Sequence, residues 1–351
     1  MLMQLLFRVL LVPALQCCGR LFLKHGKMLV RWFIYTVASI VISCICCPVV
    51  NAQYTHQFRL YEDDDFISLK GDGTDEAYSS GLRLEYLFVE QKTHFFLHRL
   101  LPLAGANAIN TLSVGISHQI YTPHNLDLVE PVPGDYPYAG ALFGNYSLHS
   151  SNAVKKLNVQ TEIIAGVMGP HSYAKEIQQF VHRVIGDEQP RGWNNQLPND
   201  ILFNVNLSAE KQLSHVNNWL ELMGGATVRA GSMIDAAGLY GIVRVGRMNP
   251  YFNGLVDQNS AGAKNKRRQV YAIAKPAFGY MAYNSLLQGG FILKRNAIVS
   301  ANINRLNIAL DYGFTISWHN FSAAIIQKTA SSPIKGRKAH ETGNITLYFS
   351  W

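Results

Sequence analysis

Beyond residue 52 the chain has no cysteine: all five, Cys17, Cys18, Cys44, Cys46 and Cys47, fall before it. An exported chain without cysteine is neither a disulfide scaffold nor a thiolate-zinc protein. The first 52 residues in turn hold no Asp or Glu, while they include Arg8, Arg20, Lys24, Lys27 and Arg31. Arg31 precedes an apolar run from Trp32 to Val49, and Val50-Asn51-Ala52 forms a small-residue end. That pattern predicts a secretory signal over 1–52, cleaved before Gln53. A second apolar run, Met1–Leu23, lies upstream, so Met28 is an alternative start that would open a signal of ordinary length. Cys46-Cys47 lacks the lead-in of a lipoprotein signal. The signal also carries five of the 31 basic residues, leaving 26 against 23 acidic ones, a balance that gives no case for nucleic acid. No stretch after residue 52 has about 18 consecutive apolar residues, which excludes a transmembrane helix but not membrane insertion by strands. GxSxG, HExxH, Walker and dinucleotide-binding glycine patterns are absent as well.

What is present is alternation. Leu306, Ile308, Leu310, Tyr312, Phe314, Ile316 and Trp318 alternate with Asn307, Ala309, Asp311, Gly313, Thr315 and Ser317. A face that is apolar for seven positions and ends in aromatics fits lipid on one side and a polar lumen on the other. Leu82–Phe88, Leu157–Val167 and Phe203–Leu207 repeat the pattern, and Ile345–Trp351 alternates to an aromatic terminus that resembles the assembly signal of bacterial outer-membrane barrels. Such segments predict an all-β chain: one transmembrane antiparallel barrel over 53–351 with about twelve strands, an even number. Residues 250–268 and 329–342 read as long polar loops.

One helix interrupts the strands, predicted over about 172–186. Ser172 is its expected N-cap, Glu176 lies in the first turn, and Gly186 stops it. Ala174, Ile177, Val181 and Val184/Ile185 form one apolar stripe, with His182 at its polar border, packed on one side and open to a cleft on the other. Asp187 and Glu188 follow closely enough to turn back on the imidazole, and a histidine beside a carboxylate is a common general-base pairing. The plain alternative is a helix histidine that only packs or caps. Tyr61–Phe66, YEDDDF, sets three aspartates side by side, which suits either a hard cation such as calcium or an exposed acidic loop. Ser79 shares strand parity with Gly81, Arg83 and Glu85, so its hydroxyl is expected in the lumen. His118 has the parity of Leu112, Val114 and Ile116 and reads as structural or interfacial.

In order, the stretches E-D-D-D-F, T-D-x-x-Y-S-S-G-L-R-L, Q-I-Y-T-P, D-Y-P-Y-A-G, G-V-M-G-P, Q-x-x-x-H-R-V-I-G-D-E and G-W-N-N-Q, between residues 62 and 196, resemble those of the outer-membrane lipid A 3′-O-deacylases and related barrels of Gram-negative bacteria. The resemblance implies a twelve-stranded barrel, with an active site between its outer wall and a helix. It implies removal of an ester-linked acyl chain from lipid A of lipopolysaccharide by a histidine-activated water with calcium, as in secreted phospholipases A2. His182 matches the general base, Glu188 the acidic residue near it, and Ser79 the small hydroxyl residue. Asp64 matches the aspartate of an Asn-Asp pair, and Asp63 stands where that pair has asparagine. The candidate catalytic set is therefore His182, Glu188, Ser79 and Asp63, with Asp64 and Asp63 as candidate calcium ligands. The chain departs from the pattern again at His124–Glu130, which lacks the Lys or Arg found there in lipid A enzymes. The expected partners are lipid A or a phospholipid, the outer membrane as location, and a monomer as the working state. Two other readings stay open: a phospholipase A-like hydrolase with Ser79 or Ser80 as nucleophile, and a non-catalytic barrel acting as pore, adhesin or structural protein.

Overall fold

The computed structural model describes residues 54–65, 68, 77–90, 100–216, 219–260, 268–293 and 301–351. The segment expected to be a signal sequence, the alternative start at Met28, Phe66, Thr74 and Asp75 lie outside the described residues. Two compact units divide the chain: one is Val50–Gln178 with Pro190–Trp351, and the described part of the other is Gln179–Gln189.

The larger unit is a closed barrel of twelve strands. They are β1 (His56–Asp64), β2 (Ala77–Val89), β3 (Ile109–Thr122), β4 (Ala139–Asn152), β5 (Leu157–Met168), β6 (Asp200–Val216), β7 (Leu220–Gly231), β8 (Ile234–Arg247), β9 (Gln269–Asn284), β10 (Leu306–Trp318), β11 (Phe321–Ala330) and β12 (His340–Ser350). Each strand pairs antiparallel with its neighbours, and β1 closes on β12 from Gln57↔Ser350 to Asp64↔Gly343. Closure leaves no unpaired edge, which a sheet in hydrocarbon requires. Among the described residues no helix is long and apolar enough to cross a membrane.

The alternation read in the sequence maps onto the two faces. On β10, Leu306, Ile308, Leu310, Phe314, Ile316 and Trp318 are exposed on the outside. Phe58, Leu82, Val114, Ile116, Phe203 and Val205 continue this apolar outer surface on other strands. The inner face is polar and ion-paired: Glu85 takes Arg59 and Arg83, and Arg83 also reaches Glu162 at 2.6 Å. The chain therefore inverts the usual globular order because its outer surface meets lipid.

Both mouths of the lumen are filled by loops folded inward. At the end carrying the start of β1 and Trp351, the segment after β8 buries Tyr251 and Phe252 against Met223 and Ile242. The fully buried Arg244 holds it, with Glu221 at 2.9 Å and the rings of Tyr251 and Tyr271 at 5.2 and 4.4 Å. The first part of 250–268 is thus a plug, and the expectation of a polar loop fails because two aromatics inside it pay for desolvating its backbone; residues 261–267 lie outside the described ones. At the opposite rim the turn after β9 buries Leu286 and Leu287, the first against Ala139, Phe143 and Leu202 of the inner wall. Between the two fillings lies a polar cavity of about 680 Å³.

Candidate active site

The ends of β1, β3 and β5 and the starts of β2, β4 and β6 meet at the rim opposite Trp351, because neighbouring strands run antiparallel. This single fact gathers Glu62–Asp64, Tyr78–Ser80, Ile120–Thr122, Ala139-Gly140 and Gly166–Met168, which are far apart in sequence.

Strand alternation then separates the acidic run. Asp63 points into the lumen with Arg59 and Tyr61, where all three line the cavity. Its carboxylate takes Lys328 at 2.9 Å, Asn344 Nδ2 at 2.9 Å and the Tyr61 hydroxyl at 2.6 Å. Successive residues of a strand face opposite ways, so Asp63 and Asp64 do not converge on one ion. Asp63 is accordingly a buried ion-pair partner inside the lumen, on the opposite face of β1 from Asp64. Asp64 shares the outer face with Glu62, and Ser80 Oγ donates to Glu62 Oε1 at 3.2 Å.

Ser79 sits where the β2–β3 register shifts between Tyr78 and Ser80, the signature of a bulge. It is buried, and its hydroxyl donates to the Ile120 carbonyl at 3.4 Å rather than opening on the cavity. The parity argument assumed an unbroken strand, and the bulge removes that assumption.

On the outer wall, Ile120, Tyr138, Ala174 and Trp193 form a buried apolar cluster. It seats the start of a helix, α1 (Ala174–Ile185), which lies within two residues of the predicted span. Gly140 permits the approach, since a Cβ there would fall 2.2 Å from that of Ala174. His118 Nε2 meets the Ser172 carbonyl at 3.0 Å, the structural role its parity suggested. Trp193 Nε1 donates to Gln178 Oε1 at 2.7 Å, both side chains buried. Ser172 is not the helix cap: its hydroxyl donates to the Gly169 carbonyl within a preceding 3₁₀ turn, Pro170–Ser172.

Among the described side chains of α1 the buried ones are Ala174, Gln178 and His182, spaced one turn apart, with His182 only 3% exposed. Ile177, Phe180, Val181 and Val184 are exposed, the reverse of the packed stripe expected from periodicity. His182 Nδ1 lies 2.5 Å from the main-chain carbonyl of Glu188. A carbonyl only accepts, so Nδ1 carries the proton and Nε2 the basic lone pair. Glu188 thus orients the imidazole through its backbone, while its carboxylate is exposed. The reversal of the chain at Gly186 (φ +80°) delivers that carbonyl, and Asp187 supports the turn by accepting from the Glu188 amide at 2.8 Å.

For calcium, the described residues bring no three His, Cys, Asp or Glu side chains together. Asp64 and Glu62 on one face are an oxygen-only pair, a donor type that suits a hard cation, with backbone, water or substrate oxygens completing its shell. Sequence reasoning gave no role to Glu62, Gln178 or Trp193, although each stands in a quoted motif, and it overlooked Lys328. Glu62 was accessible, since it stands two positions before Asp64 in a strand. Lys328 was not, because closing β1 on β12 and β11 is a property of the whole barrel.

No curated protein matches the sequence. The profile of the family described as Outer membrane protein LpxR matches residues 35–351. Among solved structures, LpxR from Salmonella typhimurium is similar with a TM-score of 0.68 at 18% identity, covering 84% of this chain and 100% of that one. The β domain of the Bordetella autotransporter BrkA is similar with a TM-score of 0.41 at 9% identity, covering 85% of this chain and 98% of that one. A family match over nearly the whole sequence, on a closed twelve-strand barrel with lipid-facing walls, places the protein in the outer membrane, and the chain belongs to the outer membrane protein LpxR family.

Proposed function

We propose that this protein is an outer-membrane esterase that removes the 3′-O-linked acyl chain of lipid A, working as a monomer. The observation that carries the chemistry is the buried His182 with its proton fixed on Nδ1 by the Glu188 carbonyl. In this reading Nε2 takes a proton from water, and the resulting hydroxide attacks the ester carbonyl. As the tetrahedral intermediate collapses, the imidazolium returns the proton to the departing sugar oxygen, leaving a free fatty acid and a hydroxyl. General-base assistance of this kind is worth roughly 10²- to 10⁴-fold. Calcium, when bound, would supply positive charge for the ester oxyanion, and Asp64 with Glu62 are the residues that would hold it.

Two observations bear on the rival readings. Ser79 directs its hydroxyl to a main-chain carbonyl, whereas a serine nucleophile must hand its proton to a base. The lumen is filled near both mouths, which disfavours a wide pore. The test is mass spectrometry of lipid A from cells with and without the gene. Loss of one 3′-linked acyl chain is expected only when the gene is present; an unchanged lipid A profile, with the barrel in the membrane, would reject the assignment.

A further inference from the structure

The outer face of the β11–β12 pair is apolar over Phe321↔Phe349, Ala323↔Leu347 and Ile325↔Ile345, then turns polar at Gln327↔Gly343 and Thr329↔Glu341. The adjoining face of β1 is acidic at the same end, where Glu62 pairs with Ile345 and Asp64 with Gly343. Directly beyond this polar patch lies the β11–β12 turn, residues 331–339, which carries Lys335, Arg337 and Lys338 and no acidic residue. The turn is held in place from several sides. Ile334 is fully buried and bridges to Ile303, the Ser332 hydroxyl lies 3.0 Å from that of Tyr136, and the Lys335 amide donates to the Asn302 carbonyl at 2.9 Å. Arg337 is committed to the same task, donating to the Gly134 carbonyl at 3.1 Å and pairing with Asp135 at 3.2 Å. Lys335 and Lys338 are exposed, and neither has an ion-pair partner among the described residues.

We infer that Lys335 and Lys338 form a binding surface for the phosphate groups of a lipid headgroup standing against the polar patch of the outer wall. The rim in question is the one opposite Trp351. At the Trp351 end the connections Asn152 to Leu157, Val216 to Leu220 and Trp318 to Phe321 are short. At the other end Thr122 to Ala139, Met168 to Asp200 and Asn284 to Leu306 are long. Bacterial barrels keep short turns on the periplasmic side and long loops outside the cell, so the turn stands at the outward rim. Where Ile325 and Ile345 give way to Gln327, Thr329 and Glu341, the wall passes from hydrocarbon to headgroup level. Phosphate is the negative charge at that level, and a lysine ammonium is a hydrated point charge suited to it. The acids nearby lie on the wall and not on the turn: Glu62, Asp64, and Glu341, which accepts from Gln327 and Thr329 at 3.5 Å. A headgroup phosphate is thus repelled from the bare wall and drawn to the turn. The inference deepens the proposed function by naming what the rim reads in its lipid; it rests on that reading for the kind of lipid and not on hydrolysis.

Lipid binding by the full chain, folded in zwitterionic detergent with chelator present, tests the surface directly. Native mass spectrometry counts bound lipid as the protein is titrated with phosphorylated lipid A, and with the same lipid A after phosphatase treatment. Lys335→Gln combined with Lys338→Gln should weaken binding of the phosphorylated lipid by roughly 25-fold, about 5-fold for each lysine. The same variant should bind the dephosphorylated lipid as wild type does. Lys335→Arg with Lys338→Arg keeps both charges and should retain wild-type binding. Lys155→Gln with Lys211→Gln, exposed at the Trp351 end, should change nothing. Wild-type affinity of the Lys335→Gln, Lys338→Gln variant for phosphorylated lipid, an equal loss for both lipids, or no binding by wild type would overturn the inference. Displacement of the lipid by an equal concentration of inorganic phosphate would assign the surface to free phosphate and overturn it as well. Deacylation, read separately with calcium added, keeps the two claims apart. Lysine-dependent binding without fatty-acid release leaves the surface standing and rejects the proposed chemistry; release with unchanged binding in the variant does the reverse.

Discussion

Replacing Asp63 by alanine should destabilise the barrel and leave its chemistry intact. The Asp63 side chain is 5% exposed and faces Lys328, 26% exposed, across 2.9 Å, with Asn344 at the same carboxylate oxygen and Tyr61 at the other. Removing one member of a fully buried pair costs about 3–5 kcal/mol, chiefly because the remaining charge is stranded. Lumen water reaches part of Lys328, so the cost here should be about 2–4 kcal/mol. Adding Lys328→Met removes the stranded charge, so the double variant should recover much of that loss, a coupling expected for residues in contact. The assay is denaturant unfolding of the detergent-inserted barrel, followed by loss of the compact gel band, with deacylation measured per folded molecule. Asp63→Ala should lower the midpoint while turnover stays within a few-fold of wild type. An unchanged midpoint with turnover abolished would put Asp63 in the catalytic machinery and refute the lumen assignment.

Glu188→Ala should keep deacylation within a few-fold of wild type, since the main-chain carbonyl that holds His182 survives the substitution; a loss as large as that of His182→Ala would show that the carboxylate takes part. Ser79→Ala should lower turnover modestly and leave it measurable, because only a bond to the Ile120 carbonyl is lost; near-complete loss would favour an acyl-enzyme. Chelation should suppress deacylation, and added calcium should restore it for wild type but not for Asp64→Ala. Full activity in chelator would remove calcium from the account.

The barrel was legible because its signal is local and repeated. Seven alternating apolar positions in β10 state which face meets lipid without reference to any partner strand. The gathering of the motifs was legible only as a resemblance, since their meeting at one rim depends on antiparallel order around the whole barrel. Periodicity found the apolar side of α1 at Ile177, Val181 and Val184 but missed Phe180 and expected that side to be packed, whereas it is exposed: a hydrophobic stripe says which side is apolar, not what covers it. The acidic run was read as a cluster, although strand alternation alone sends Asp63 inward and Asp64 outward. The bulge at Ser79 and the use of the Glu188 carbonyl in place of its carboxylate are main-chain events with no side-chain signature. Tyr251 and Phe252 were hidden in a segment of Asn, Gly, Asp and Gln whose composition reads as a loop.

The central claim is that His182 is the base that activates water. The direct measurement compares fatty-acid release from lipid A by wild type and His182→Ala, each reconstituted at equal folded amount as judged by heat-modifiable migration. The account predicts intact insertion and a fall in turnover of at least about 10²-fold, the lower end expected for loss of a general base. Release at the wild-type rate by a correctly inserted His182→Ala would contradict it.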